Sequence, residues 1–596
     1  MRNRSKLLPT LLVLPLLAAA APAAEPGAGS PVGRTIDNFR LTDPRTGKPV
    51  ALADFKDRKA VAVVFLGTRC PVNNQYLPRL NQLQKEYAGK GVQILGINSN
   101  HIDSLEDVAA HAREHGIAFP VLKDLDGRAA DRFGATMTPE AFVLDADRVV
   151  RYRGRIDDQY GRALKKLNPT TRELADALDA VLAGKPVAVA ETEVAGCWIA
   201  RRPIPNPNAK VSFTRDIAPL LQKHCQECHR PGQIGPMPLL TYADAAGWSE
   251  TIRYVVEERF MPPWYADPKF GRFANDRRLP DADRELLLRW IDQGCPEGDP
   301  KDMPPPREFS SEWRIGKPDL VLTMSEEFEV PAEMPEGGIP YKYFIVDPGF
   351  KEDVWVRRAE ARAGAPDVVH HIVAFIVPPP DNIDPDYPNF PFLPGVKNAR
   401  VLCGTAPGDM PTVLPEGTAI RIPAGSKIVF QMHYTPSGRA AKDRSRVGIV
   451  FAPGKPKREV ITVPVFNHRI KIPPGEADYE VHSWFTFKHD GHIIALMPHM
   501  HLRGKDFKMS VVSPDGKEER TILSVPNYNF NWQNAYRLAE PLPVPRGGKV
   551  HCVAHYDNSA ANPHNPDPQA WVYWGDQTWQ EMMIGWMDMV YDREPR

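Results

Sequence analysis

The spacing of apolar residues takes three characters along the chain. Residues 59–67 (KAVAVVFLG) form a β-branched apolar run, after which Leu77, Leu80 and Leu83 recur at the interval of one buried helix face. A second strand over 92–97, the stretch Phe119, Pro120, Val121 and Leu122, and a hairpin over 141–155 continue the alternation. This predicts an α/β sheet with helical crossovers over 31–187. From 211 to about 300 the period is helical: 214–224 leads into a cysteine-bearing turn, and 282–293 carries Leu286, Leu287, Trp290 and Ile291 on one face. Beyond 318 the runs shorten. Stretches at 341–346, 354–358, 370–377, 427–433 and 447–451 read as strands divided by Pro and Gly, which predicts all-β sandwiches over 318–456 and 457–592. Polar, proline-rich joints at 188–210 and 301–317 separate the three patterns.

The N-terminus adds a location. Arg2, Arg4 and Lys6 precede an apolar segment over 7–20, and Ala21-Pro22-Ala23 offers a cleavage site, so residues 1–24 read as an export signal. That segment is shorter than the ~20 residues of a bilayer span, and no later stretch is apolar enough to cross a membrane. A periplasmic or secreted protein is expected. Lys+Arg and Asp+Glu both total 74 in 596 residues, a balance that argues against nucleic acid as a partner. The seven cysteines are too sparse for a disulfide scaffold.

Two of those cysteines carry chemistry. Cys225-Gln226-Glu227-Cys228-His229 has the spacing that adds two thiols to one haem and sets a histidine beneath the iron, so one covalent haem c is expected. No second CxxC completes a four-cysteine zinc cage. Together with its flanking helices the motif resembles the class I cytochromes c, a small all-α domain whose sixth ligand is usually a downstream methionine. Met261, before Pro262 and Pro263, is the candidate, with Met237 and Met303 as rivals.

The first module resembles the thioredoxin-like redoxins over its whole length, which implies Cys70 at the N-terminus of the first helix and Thr138-Pro139 as the cis-proline facing it. The position of a second CxxC cysteine is occupied by Asn73. Gly67 stands where peroxiredoxins keep Thr, with Thr68 one place late. Cys197, in Ala195-Gly196-Cys197-Trp198, is a candidate partner for Cys70; a redox-silent, structural Cys70 is the alternative.

Histidines mark the β region. On a strand, positions i and i+2 share a face, so His499 and His501 can grip one ion, whereas His370 and His371 need a bulge or a strand end to do so. His433 closes another strand. Imidazole sets with a thioether favour copper over magnesium or calcium, and zinc satisfies the same ligand types. From 318 to 591 the chain resembles the copper type II ascorbate-dependent monooxygenases, the family of peptidylglycine alpha-hydroxylating and dopamine beta-monooxygenases. The resemblance implies two coppers on two jelly-roll-like domains: His370, His371 and His433 at the electron-transfer site, and His499, His501 and Met582 (or Met583) at the oxygen-binding site. Met497 stands where peptide-hydroxylating members hold a carboxylate with Arg, which argues against a glycine-extended peptide.

Together these readings point to an exported monooxygenase that hydroxylates a small-molecule or peptide-like substrate with O2. The haem would pass on electrons from ascorbate or another redox protein. The alternative is a redox or copper-binding carrier, or a thiol-disulfide oxidoreductase, without oxygen turnover. His551 and His555 are expected to be structural, and Cys295, Cys403 and Cys552 have no assigned pairing.

Overall fold

The computed structural model describes residues 29–594 apart from 162–163, 167, 310–312, 336–337, 383–386, 388–392, 394–395, 397 and 406–410. The expected export signal over 1–24 lies outside the described residues.

Residues 29–187 build an α/β layer structure. The elements are β1 (Arg40–Asp43), β2 (Lys48–Ala51), β3 (Ala60–Phe65), α1 (Pro71–Ala88), β4 (Val92–Asn98), α2 (Leu105–Glu114), β5 (Val121–Lys123), α3 (Arg128–Phe133), β6 (Met137–Thr138), β7 (Glu140–Leu144), β8 (Val150–Gly154) and α4 (Glu173–Leu182). One sheet runs β2-β1-β5-β4-β3-β7-β8, with β3, β4 and β5 parallel. Every residue of β3 is buried because the sheet is covered on both faces. Leu77, Leu80 and Leu83 of α1 pack with Leu174 and Leu178 of α4 on one side, and Phe133 of α3 packs with Phe65 and Phe142 on the other.

The stretch expected as a first linker does more than connect. Strand β9 (Cys197–Trp198) pairs antiparallel with β6, and the Ile199 amide donates to the Thr136 carbonyl. Between 211 and 300 lie α5 (Ala218–His224), α6 (Tyr242–Gly247), α7 (Ser249–Glu257) and α8 (Asp281–Asp292), gathered around the fully buried Trp290. The segment after α7 leaves these helices and lies along the β region. Ala274 donates to the Arg537 carbonyl at 2.8 Å, Ala539 donates to the Arg272 carbonyl, and Trp264 sits edge-on to Tyr536 in the core of the last sandwich.

The β region contains β10 (Leu320–Thr323), β11 (Lys342–Val346), β12 (Val354–Arg362), β13 (Val369–Val377), β14 (Arg400–Thr405), β15 (Thr418–Ile422), β16 (Lys427–Tyr434), β17 (Arg446–Phe451), β18 (Arg458–Phe466), β19 (Tyr479–Thr486), β20 (Gly491–His499), β21 (Gly504–Val512), β22 (Glu519–Val525), β23 (Tyr536–Val544), β24 (Lys549–Tyr556) and β25 (Ile584–Tyr591). Two four-stranded sheets, β11-β16-β13-β14 and β19-β24-β21-β22, each face part of one long sheet. That long sheet is continuous because β15 and β18 pair in parallel where the first sandwich passes into the second. Two separate cores result, one around Phe430 and Ile449 and one around Met509 and Met587.

Candidate functional site

Four groups of chemically capable side chains lie on or beside these elements. The first is the histidine set of the earlier sandwich. Neighbouring strand residues point to opposite faces, so His370 and His371 could not converge on a regular ladder. The β13–β16 ladder breaks between Val369 and His371, and His371 then pairs with His433. This bulge at His370 brings ring nitrogens of His370, His371 and His433 within 4.8 Å of one another. Burial, reinforced by the neighbouring imidazoles of His433 and His370, holds His371 well below its ordinary pKa. A neutral imidazole offers a lone pair, so the donor set fits a transition-metal ion.

The second set is in the later sandwich. His499 ends β20 and His501 follows it by two, with ring centroids 5.3 Å apart. The Nδ1 of His499 lies 2.6 Å from Gln533 Oε1, and that of His501 lies 3.2 Å from the Gln580 carbonyl. Both partners are acceptors, so each Nδ1 carries the proton; His501 is further hydrogen-bonded to the backbone of Gln577. Burial takes His499 down to about 4, and burial with the adjacent His499 takes His501 to about 3. Glu581, fully buried, accepts the amides of His501 at 2.8 Å and Arg503 at 2.6 Å. Burial raises its carboxyl to about 7 against the pull of those amides. The turn after β20 is thereby tied to the residue before Met582.

Met582 lines the same cavity as His499 and His371, whereas Met583 is packed in the core of the later sandwich. Phe530 joins the two sets: it stacks on His370 at 5.1 Å and meets His501 edge-on at 5.8 Å. Gln533 and Phe530 carry no signal in the sequence. Only Glu581 carries a signal there, by adjacency to Met582.

The third group is the thiol pair. Cys70 caps α1, donates to the Thr138 carbonyl at 3.1 Å, and touches the Cys197 thiol. Burial would push this thiol up, but the hydrogen bonds from Cys197, the Asn73 backbone and Thr138 outweigh it and bring it to about 7. Two glycines make the arrangement possible. A Cβ at Gly196 would sit 2.0 Å from the Thr138 carbonyl oxygen, and one at Gly67 would sit 2.9 Å from Thr138 Oγ1. The peroxiredoxin threonine therefore has no room at Gly67. The Thr138-Pro139 bond is cis.

In the haem-type motif, the chain turns tightly after α5, with the His229 amide donating to the Cys225 carbonyl at 2.9 Å. His229 Nδ1 faces the Met237 carbonyl at 3.1 Å, which leaves Nε2 as the ligand atom; Met237 itself is core, and Met303 is exposed. Burial raises the Cys225 thiol to about 12. Met261 lines a cavity of about 500 Å3 together with Cys197, His370 and His433. All three modules thus meet at one place.

Among the described residues no disulfide is formed; Cys403 and Cys552 are buried in different sandwich cores, and Cys295 packs among the helices. His551 stacks on Trp484 at 3.7 Å and His555 lies between Asp506 and Glu480, both on an outer sheet face.

Comparison with known proteins places a match on the first module. The AhpC/TSA family matches residues 32–153. The chain is similar to the thiol-disulfide oxidoreductase ResA of Bacillus thuringiensis, 31% identical over 141 residues, covering 23% of this chain and 79% of that one. Among solved structures it is similar to a hypothetical protein of Sinorhizobium meliloti (34% identity, TM-score 0.27, 28% of this chain and 94% of that one). It is also similar to a putative thiol:disulfide interchange protein DsbE of Chlorobium tepidum (22% identity, TM-score 0.20, 26% and 96%).

Proposed function

Because the chain belongs to the AhpC/TSA family through residues 32–153, we propose a division of labour in which that module keeps thiol redox chemistry and the β region carries oxygen chemistry, as an exported copper-dependent monooxygenase. The observation that carries the second half is the pair of unlike sets, three imidazoles gathered by a bulge and the His499–His501 pair, with His371 of the first set and His499 of the second lining one cavity together with the Met582 thioether. Bound copper would supply one-electron redox chemistry and activation of O2, and haem c on Cys225 and Cys228 would supply single electrons.

The chain's own residues perform the rest. His370, His371 and His433 offer nitrogens only, while Met582 adds a soft sulfur that favours the reduced ion. Gln533 and the Gln580 carbonyl hold His499 and His501 in one tautomer, so their ligand atoms are aimed before any ion arrives. Glu581 fixes the turn that sets the spacing between His501 and Met582. The sandwiches line a largely apolar cavity around this point, which favours an apolar substrate over bulk water at the reacting carbon. The segment 263–277, pinned to β23, keeps Met261 against the β region, so electrons entering at the haem motif would not wait on diffusion. O2, a small organic substrate and ascorbate or another redox protein are the partners of this reading. No helix among the described residues is long and apolar enough to cross a membrane, and the reading places the protein in the periplasm or outside the cell.

A second reading is favoured by the Cys70–Cys197 contact and by the relatives: thiol-disulfide exchange without oxygen turnover. Oxygen uptake by the copper-loaded full chain with ascorbate separates the two. Uptake that is lost in Met582→Ala but kept in Cys70→Ser supports the monooxygenase; no uptake, with disulfide reduction dependent on Cys70, supports the exchange reading.

A further inference from the structure

The cavity of about 470 Å3 between the sandwiches has a direction that the metal sites do not explain. On its floor, register places His499 opposite Ile584, Met497 opposite Trp586, and Ala495 opposite Asp588. Next to Asp588 lie Thr462 on β18 and, through Ala495, Arg537 on β23. Residues two apart share a face, so this side of the sheet reads as one ladder from His499 to Ala495. Four residues at the strand rise of ~3.4 Å make it about 14 Å long. The opposite wall repeats the pattern on β13, where His371 is followed at i+2 and i+4 by Val373 and Phe375. Between the ends, the walls offer Trp586, Val373 and Phe375, which are apolar.

The far end is polar and carries side chains of both signs, Asp588 and Arg537. Thr462 donates to Asp588 Oδ1 at 2.6 Å, and the attraction of Arg537 offsets part of the burial cost of that carboxylate. Arg537 is itself held in place by the Pro411 carbonyl at 2.7 Å. A charged ligand group there would meet a like charge whichever its sign, Asp588 or Arg537, whereas a hydroxyl or amide can donate to one and accept from the other. The other acid of the lining, Asp576, lies near Tyr341 at the histidine end.

We propose that this cavity binds an elongated, uncharged apolar molecule bearing one hydroxyl or amide, held with that group at Asp588, Thr462 and Arg537 and with its opposite end beside His499 and Met582. The inference deepens the monooxygenase reading by naming its substrate class and the end of the molecule presented for oxidation, but binding itself needs no turnover.

The test is titration calorimetry on the full chain with linear primary alcohols from hexanol to tetradecanol, and with dodecanoate and dodecylamine. Affinity should rise about fourfold per methylene until the chain fills the cavity, then level off. Dodecanol should bind at least tenfold tighter than either ion. Ala495→Trp, which narrows the floor, should move the plateau to shorter alcohols; Val373→Trp from the opposite wall is the second variant should the first fail to fold. A response independent of chain length, a plateau unmoved in a folded variant, or tighter binding of an ion would overturn the proposal. Alcohol binding without oxygen uptake by the copper-loaded chain would leave the cavity assignment standing and end the monooxygenase reading, while uptake without alcohol binding would do the reverse.

Discussion

The two histidine sets reach convergence by opposite means. In the earlier sandwich the ligand atoms come together because a strand departs from regularity: the bulge at His370 turns adjacent side chains toward one point, against His433 on the next strand. In the later sandwich the strand breaks register only before Ala495 and is regular from there to His499, the i, i+2 alternation does the work, and hydrogen bonds accepted by Gln533, Gln580 and Glu581 supply the aim. Irregular backbone can gather three ligands with little outside help. Regular backbone gathers two and, in the reading proposed above, leaves the third to a distant residue, Met582, which follows the clamped Glu581. The earlier set should therefore respond most to loss of a ligand and the later set to loss of its supports.

The largest effect is expected from His371→Ala. It removes one of three donors and should cut bound copper from two ions per chain to one, by metal analysis of the purified protein, with Met582-dependent oxygen uptake also lost. A variant that still binds two ions would break the contrast. Next, Gln533→Leu should weaken metal binding at the later site roughly 10–100-fold while leaving the earlier site unchanged, because it frees the His499 ring without touching a ligand. Equal weakening of both sites would show that the supports are shared. Glu581→Gln keeps the size of the side chain but loses charge from an acceptor of two amides. It should cost about 1–3 kcal/mol of stability, read as a lower chemical-denaturation midpoint, and bring a smaller loss of affinity at the later site alone.

The smallest effect concerns the thiols, which lie outside both sets. Hydrogen bonds hold Cys70 below its ordinary value, at about 7, so its thiolate forms as pH rises through about 7. Cys197→Ala, which removes the donor, or Gly196→Ala should move that midpoint upward, toward the usual thiol range, as measured by thiolate absorbance against pH, without changing metal content. A midpoint that does not move would mean that Cys197 does not act on Cys70.

Which parts were legible in the sequence follows from how each is made. The α/β module was readable because β3 is buried on both faces and α1 repeats Leu at helical intervals, both period signals. The need for a break at His370 was readable from adjacency alone. The choice between Met582 and Met583 was not, since neighbouring residues diverge and only the packing shows Met583 in the core and Met582 at the cavity. Gln533 acts from an irregular loop across the fold, and no spacing rule connects it to His499. The arm over 263–277 has neither helical nor strand periodicity; its order comes from pairing with β23, so nothing in the sequence set it apart from the helical module expected over 211–300. The stretch 188–210 was expected as a linker for the same reason, although Gly196 and Cys197 lie against β6 in a contact that only a glycine permits.

The central claim is that the β region holds two copper ions in unlike surroundings, one all-nitrogen and one with the sulfur of Met582. X-ray absorption at the copper edge of the reduced, copper-loaded full chain tests it most directly. The account predicts two coppers ligated by imidazole with one sulfur shared over the pair, a sulfur signal that disappears in Met582→Ala and survives in Met583→Ala. A spectrum without sulfur, or one whose sulfur persists in Met582→Ala, would contradict it.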